Sequence, residues 1–195
     1  MNCFGDSDLI YILQSSSTQE KFDIYINPML SSEEQGIIFT PHVATIYHEV
    51  KNLNYDDINA VAYTSNVAYH ARDSIRESFE DGDIQFLYAT PRMYFANEYF
   101  RDFVNEQVIE GNLNAIVLDD AKYLFEYGYE TDKYENYQSI VDLKDLAPYQ
   151  RWIVVADQDC ENETEDIANI LHLENTQVIQ IRYYPYFFHK SLYFL

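Results

Sequence analysis

The stretch Ala115-Ile116-Val117-Leu118-Asp119-Asp120 carries the most information in this sequence of 195 residues. A short apolar run of this kind is typical of a strand that is buried on both faces of a parallel sheet. Two carboxylates follow at the carboxyl end of the run. In such a place one carboxylate can hold Mg²⁺ while its neighbour polarises water. The stretch therefore predicts either a metal site or two acids that simply lie at the solvent end of a strand.

Apolar runs and amphipathic stretches alternate along the chain. The predicted strands are residues 9–13, 36–39, 59–63, 85–89, 115–118, 152–156 and 176–183. The predicted helices are residues 45–53, 68–79, 97–108 and 163–171, each with apolar residues three and four positions apart. This alternation predicts βαβ units and a mostly parallel central sheet in one three-layer α/β domain. Residues 126–138 have too little periodicity for a prediction.

The composition argues against several classes of protein. With 12 Lys+Arg against 33 Asp+Glu, the net charge is −21. A surface of this sign repels phosphate, so we expect no direct nucleic-acid binding. The chain has 5 glycines, whereas average usage would give roughly 14, which counts against a glycine-rich phosphate loop. No stretch approaches the roughly 18 apolar residues of a membrane span, and the first residues lack the basic segment of a secretory signal. We expect no membrane association.

The two cysteines, Cys3 and Cys160, are isolated, and the five histidines form no spacing typical of metal ligands. Isolated cysteines are usual in a reducing compartment. We therefore expect no disulfide, no metal site and no cofactor.

Several stretches together resemble the first RecA-like lobe of RecQ-family DNA helicases. Residues 118–128 (Leu-Asp-Asp-Ala-Lys-Tyr-Leu-Phe-Glu-Tyr-Gly) are similar to the Asp-Glu-Ala-His motif of that family and the aromatic-rich loop after it. Residues 37–41 resemble motif Ia, residues 79–93 the stretch that ends in Thr-Pro-Glu-Arg, and residues 152–173 the motif III strand and its helix. The resemblance implies that residues 1–195 form a single degenerate helicase lobe with the RecA-like, P-loop NTPase-type fold.

The resemblance also implies that the first half of the nucleotide site has lost its essential residues. Residues 13–19 take the place of the Walker A loop. Ser15, Ser16 and Ser17 stand where the family has glycines, Thr18 where it has the phosphate-binding lysine, and Gln19 where it has the Mg²⁺-binding hydroxyl. Glycines let the backbone approach phosphates closely and the lysine neutralises them. The same serines are also suited to cap a helix N-terminus without any ligand.

The second half of the site departs from the family in a similar way. Asp119 matches the Mg²⁺-binding acid, but Asp120 replaces the catalytic glutamate and Lys122 replaces the histidine. Residues 156–159 (Ala-Asp-Gln-Asp) replace a Thr-Ala-Thr-Ala run that couples the two lobes. These departures predict a vestigial nucleotide site and a protein that is not an enzyme. Thr40, Thr90 and Arg92 match positions that touch the DNA backbone in the family, but here they lie in a strongly acidic chain.

Two tyrosine-rich segments are candidates for a protein interface, because tyrosine is enriched at interface hot spots. The candidate residues are Tyr123, Phe125, Tyr127, Tyr129, Tyr183, Tyr184, Tyr186 and Phe187. For the first segment the alternative is a packed loop. Residues 183–194 are too apolar for a free tail, so the alternative there is an edge strand that folds back onto the sheet. A homodimer through the tyrosine surface is left open.

Taken together, the sequence favours a catalytically inactive helicase-like domain that acts as a protein–protein interaction or scaffold subunit. Family analogy alone suggests a nuclear DNA-transaction, DNA-repair or chromatin complex. Without that analogy, we expect the protein in the cytoplasm. Two other hypotheses stay open. An acidic DNA mimic would occupy DNA-binding proteins through its charge of −21. A residual nucleotide-binding switch would bind Mg²⁺·ATP without turnover.

Overall fold

The computed structural model of the protein describes residues 8–13, 18–31, 35–113, 115–126, 131–146, 148–182 and 191–194. At residues 13, 18, 19, 125, 126, 131–138, 182 and 191–194 the description covers the backbone alone.

One sheet runs through the centre of the molecule. Its described strands are β1 (Leu9–Leu13), β2 (Gly36–Phe39), β3 (Ala60–Ala62), β4 (Phe86–Ala89), β5 (Ala115–Leu118), β6 (Trp152–Asp157), β7 (Gln177–Arg182) and β8 (Ser191–Phe194). The strand order is β3-β4-β2-β5-β6-β1-β7-β8. Strands β1 to β7 pair in parallel, and β8 pairs with β7 in the antiparallel sense. The prediction of a mostly parallel sheet is confirmed.

Helices lie on both faces of this sheet. They are α1 (Thr18–Lys21), α2 (Asn27–Ser31), α3 (Val43–Tyr55), α4 (Tyr69–Glu80), α5 (Pro91–Ala96), α6 (Glu98–Glu110), α7 (Tyr123–Glu126), α8 (Thr131–Leu146) and α9 (Thr164–Ile170). A π-helical turn (Phe22–Ile26) joins α1 to α2, and a 3₁₀ turn (Gln158–Glu163) precedes α9.

The strands alternate their side chains between two hydrophobic cores, which explains why they read as continuous apolar runs. In β5, Ile116 and Leu118 belong to the core under α4, α6, α8 and α9, whereas Ala115 and Val117 belong to the core under α2, α3 and the π-helical turn. All four are buried. The architecture is therefore the expected three-layer α/β domain.

The start of β1 is fixed by a buried carboxylate. Asp8 Oδ2 accepts a hydrogen bond from Lys144 Nζ of α8 at 2.8 Å and from the backbone N of Glu174 at 3.0 Å. Asp8 Oδ1 accepts from the backbone N of Trp152 at 3.0 Å. A buried charge needs such partners, and these three connect the first described strand to α8, β6 and the turn before β7.

Most predicted elements occur close to their predicted bounds. The bounds of β1, β2 and β5 agree residue for residue, while predicted strand 59–63 is shorter and lies at Ala60–Ala62. Predicted helix 45–53 extends at both ends, to Val43–Tyr55. Residues 126–138, for which no prediction was made, contain the first half of α8.

The end of the chain folds back onto the sheet. Ser191–Phe194 pairs with β7 as its outer neighbour, which agrees with the edge-strand alternative for that part of residues 183–194. Tyr183, Tyr184, Tyr186 and Phe187 lie outside the described residues, so their role as an interface stays a prediction. Within the part of the chain described, no helix has the length and apolarity needed to cross a membrane.

Candidate functional site: a buried lysine between two acids

The carboxyl ends of the parallel strands meet at one edge of the sheet, where α/β proteins of this kind bind ligands. Thr40 follows β2, Thr90 follows β4 and Asp119 follows β5. Backbone hydrogen bonds hold these ends together: Thr40 N donates to Ala89 O at 3.0 Å, and Asp119 N donates to Phe39 O at 2.8 Å. The sequence therefore brings Asp119 to a fixed place at this edge.

The side chain of Asp119 does not face solvent but meets a lysine. Lys21 Nζ lies 2.5 Å from Asp119 Oδ2 and 3.4 Å from Glu49 Oε1. Asp119 is 0% exposed and Lys21 and Glu49 are each 4% exposed. The site is thus a buried cluster in which one ammonium group serves two carboxyl groups that come from different elements, β5 and α3.

The electrostatics of this cluster follow from burial and from the unequal number of charges. Burial raises the pKa of Asp119 to about 7, although the charge of Lys21 opposes that rise. Burial also raises the pKa of Glu49. For Lys21, burial alone would lower the pKa, but the charges of Asp119 and Glu49 outweigh it and raise the pKa above its usual range. Two buried carboxyls with one ammonium favour a state in which one carboxyl keeps its proton.

Four polar atoms around the cluster are buried without a hydrogen-bond partner. They are Asp119 Oδ1, Glu49 Oε2, Thr40 Oγ1 and the hydroxyl oxygen of Tyr25. The Tyr88 hydroxyl is close enough to Glu49 to influence its pKa, yet no hydrogen bond of normal geometry reaches Glu49 Oε2. Buried polar atoms without a partner are uncommon in proteins, and each one calls for a physical explanation.

Asp120 lies beside the cluster in an unusual backbone conformation. Its φ is 57°, in the left-handed region that aspartate tolerates better than most residues. Its negative charge also contributes to the raised pKa of Lys21, though less than the charges of Asp119 and Glu49 do. Asp120 is half-buried, so it lies nearer to solvent than Asp119.

The structure places only part of the predicted nucleotide site. Asp119 and Asp120 lie together at the sheet edge, and Thr18 and Gln19 form the first turn of α1 with only their backbone described. Ser15, Ser16 and Ser17 lie outside the described residues. The vestigial site as a whole therefore stays a prediction.

Sequence reasoning missed Lys21 and Glu49. Lys21 lies three positions after Thr18, which is about one helical turn beyond the position matched to the family lysine. Glu49 falls three residues after Ile46 and four before Leu53, which is the spacing of a single helix face. An acid on that apolar face must be buried and must have a partner, and this was the signal that could have identified it.

The residues present do not fit a magnesium nucleotide. One oxygen of Asp119 is taken by the Lys21 ammonium and the other is buried. Mg²⁺ demands octahedral oxygen coordination and usually keeps several of its waters, which requires open space around the carboxylate. In the described part of the chain, no group of three His, Cys, Asp or Glu side chains is arranged to hold a metal ion.

The residues matched to DNA-backbone contacts have roles within the fold. Thr90 Oγ1 accepts a hydrogen bond from Met93 N at 3.0 Å and so caps α5. Thr40 is completely buried, whereas Arg92 is exposed. The side chains of Thr40 and Thr90 are therefore turned towards the interior of the protein, whereas that of Arg92 extends into solvent.

Tyr123 belongs to a small polar cluster at the same sheet edge. Its hydroxyl lies 2.7 Å from His42 Nε2, and the ammonium of Lys122 lies 5.4 Å from the centre of its ring. Lys122 also forms an ion pair of 2.9 Å with Asp157. Phe125 lies in α7, while Tyr127 and Tyr129 fall outside the described residues. The first tyrosine segment as an interface stays a prediction.

Comparison with known proteins gives a fold but no family. No protein-family model matches the chain, and no curated protein matches it. Among solved structures, the DUF1998 helicase MrfA bound to DNA is 16% identical with a TM-score of 0.67, over 89% of this chain and 25% of that one. A hypothetical ATP-dependent RNA helicase from Sulfolobus tokodaii is 13% identical with a TM-score of 0.60, over 90% and 48%. The Hef helicase domain of Pyrococcus furiosus is 11% identical with a TM-score of 0.55, over 90% and 35%.

These neighbours confirm a helicase-like, RecA-like fold. The chain spans between about a quarter and a half of the length of each of them. They do not single out the RecQ family, so that finer assignment stays a prediction.

Proposed function

We propose that this helicase-like domain has no ATPase activity and serves as a protein–protein interaction or scaffold subunit. One observation carries the first half of the proposal: the Lys21 ammonium lies against Asp119, the acid that would have to meet Mg²⁺. Opening this site to a metal nucleotide would leave two buried carboxyls, Asp119 and Glu49, without their cation. Leaving a buried charge unpaired costs several kcal/mol, which binding would have to supply.

The second half of the proposal rests on charge and on exposed aromatic residues. A net charge of −21 disfavours contact with a nucleic-acid backbone. Tyr55, Tyr69 and Tyr149 are exposed by 88%, 78% and 97%, and tyrosine is among the residues enriched in protein interfaces. A nuclear DNA-transaction or chromatin complex is the setting that family analogy suggests.

Nucleotide binding tests the first half. Isothermal titration of the full chain with Mg²⁺·ATP should give no heat of binding at millimolar nucleotide, and no phosphate should be released. Lys21→Met removes the ammonium and should not create binding either, since Asp119 stays buried. Saturable Mg²⁺·ATP binding by the wild-type chain would instead establish a residual nucleotide switch.

Affinity capture from the source cell's extract tests the second half. The extract is treated with nuclease, and the capture is repeated at low and high salt. We expect one stoichiometric protein that survives high salt. A broad set of basic DNA-binding proteins that is lost at high salt would favour the DNA mimic, because charge-driven contacts are screened by ions.

A matched pair of variants locates the interface. The double change Tyr127→Ala and Tyr129→Ala should weaken capture, and Ile109→Ala serves as the control because this exposed residue belongs to neither tyrosine-rich segment. Unchanged capture by the double variant would move the interface away from this segment, with residues 183–194 as the next candidate.

A further inference from the structure

A cleft of about 400 Å³ opens between α3 and the π-helical turn that follows α1. Asp56, the residue directly after α3, lines the cleft, and on α3 itself the lining residues include Glu49, Asn52 and Leu53, spaced three and four positions from Glu49. This spacing places them on one face of the helix. The volume lies within the range of about 300–1,000 Å³ that is usual for small-molecule sites.

The opposite wall of the cleft depends on the π-helical turn. The backbone N of Asn27 donates to Phe22 O, five residues earlier, so the turn is wider than an α-helical one. Phe22 and Ile26 line this wall, and Tyr88 of β4 lines the cleft as well. Turns of this kind are rare and frequently occur at functional sites. The walls are thus largely aromatic and aliphatic.

The cleft is lined by more acidic than basic side chains. Lys21, which also lines the cleft, is engaged by Asp119 at 2.5 Å and lies farther from Glu49, at 3.4 Å. Glu49 Oε2 is buried, and no hydrogen bond of normal geometry reaches it, although the Tyr88 hydroxyl is close enough to influence the pKa of Glu49. Asp56 adds a second, exposed acid to the lining. The lining therefore carries two carboxyl groups and one ammonium, which Asp119 also engages, so the cleft is short of positive charge.

We propose that this cleft binds a small organic cation, a primary ammonium group attached to an aromatic or aliphatic body. The ammonium would pair with Asp56 and with Glu49, which shares the Lys21 ammonium with Asp119, and the body would pack against Phe22 and Leu53. Phosphate-bearing and carboxylate ligands are repelled by the same acids. This inference does not depend on the scaffold role, because the ligand is a small molecule, although Tyr55 both lines the cleft and is one of the exposed tyrosines named above.

Three molecules of similar size and different charge test the proposal on the full chain. The probe is 2-phenylethylamine, and its matched partners are 2-phenylethanol, which is neutral, and phenylacetate, which is an anion. Binding is followed by titration calorimetry and by chemical shifts of the protein. We expect the amine to bind at least about tenfold more tightly than the other two, equivalent to about 1.4 kcal/mol. Equal binding of all three, or no binding of the amine at millimolar concentration, would overturn the proposal.

Variants then locate the binding in the cleft. Glu49→Gln keeps the shape and removes the charge, so amine affinity should fall about tenfold, whereas Glu77→Gln on the exposed face of α4 should bind as the wild type does. Asn52→Trp fills the cleft and should abolish binding without touching the buried cluster. If Glu49→Gln does not fold, Asn52→Trp and Asp56→Asn decide the question. Wild-type affinity in Asn52→Trp would place the amine elsewhere and refute the site.

Discussion

Lys21 and Asp119 are 98 positions apart in the chain, and their charged groups meet at 2.5 Å in the interior of the protein. The pair joins α1 to the end of β5 and is completed by Glu49 of α3. The same three residues therefore hold the fold together at this edge of the sheet, and our proposal that the domain lacks ATPase activity rests on the contact between Lys21 and Asp119.

The first prediction concerns the stability provided by this pair. Lys21→Met should lower the free energy of unfolding by about 3–5 kcal/mol, because it leaves buried carboxyls without their cation. Arg76→Met is the control, since Arg76 pairs with Glu80 and Glu106 near the surface and such pairs contribute about 0–1 kcal/mol. Urea unfolding measures both. Adding Asp119→Leu to Lys21→Met should recover part of the loss, and no recovery would show that Lys21 stabilises the fold by packing alone.

The second prediction is a pH dependence with a definite sign. Burial raises the pKa of Asp119 from 3.8 to about 7, so between these values the folded protein binds more protons than the unfolded chain. The free energy of unfolding contributed by this group must then fall as the pH rises from about 4 to about 7. Asp119→Asn should remove that slope, because Glu49 is then the only carboxyl left for Lys21. Urea titrations across this pH range measure the difference between the two proteins, and a difference that grows with pH would contradict the prediction.

The third prediction concerns Asp8. Asp8→Ala removes three hydrogen bonds and leaves Lys144 buried without its carboxylate, so it should cost about 3–5 kcal/mol of unfolding free energy. The control is Asp145→Ala, which breaks an exposed pair with His172 and should cost less than about 1 kcal/mol. Chemical denaturation of both variants checks this. Equal losses would mean that burial is not what makes the Asp8 interaction strong.

The fourth prediction concerns Thr90, which caps α5. Thr90→Ala should cost about 1 kcal/mol, whereas Thr90→Ser keeps the hydroxyl and should cost much less. Thermal unfolding monitored by circular dichroism distinguishes the two. If both variants lost the same stability, the methyl group of Thr90 rather than its hydroxyl would be the stabilising part.

The fold could be predicted from the sequence because the strands that form its centre are buried on both faces. Runs such as Leu9–Leu13 and Ala115–Leu118 have no charged residue, and a polar or acidic residue follows and precedes each of them in the sequence. Helix α8 was missed because the sequence of residues 131–138 is polar apart from two tyrosines, and the aliphatic residues Ile140, Val141 and Leu143, which are buried, come only after it. Local periodicity does not reveal a helix whose aliphatic residues begin late in its sequence.

The candidate site could be predicted only in part. Asp119 was found because it directly follows a buried strand. Its partner Lys21 was not, since a pair between residues 98 positions apart leaves no local pattern. The cleft was also beyond prediction, because it depends on the π-helical turn Phe22–Ile26, and no residue pattern distinguishes such a turn from an ordinary helix.

The position of β1 in the sheet has a consequence for how the chain is made. Strand β1 lies between β6 and β7, so Leu9–Leu13 has no neighbouring strand until residues 152–182 have left the ribosome. At typical synthesis rates of about 5–20 residues per second, this wait lasts on the order of ten seconds. During that time an apolar strand with two free edges is exposed to other nascent chains. This topology therefore prevents the sheet from assembling in the order in which its strands are synthesised.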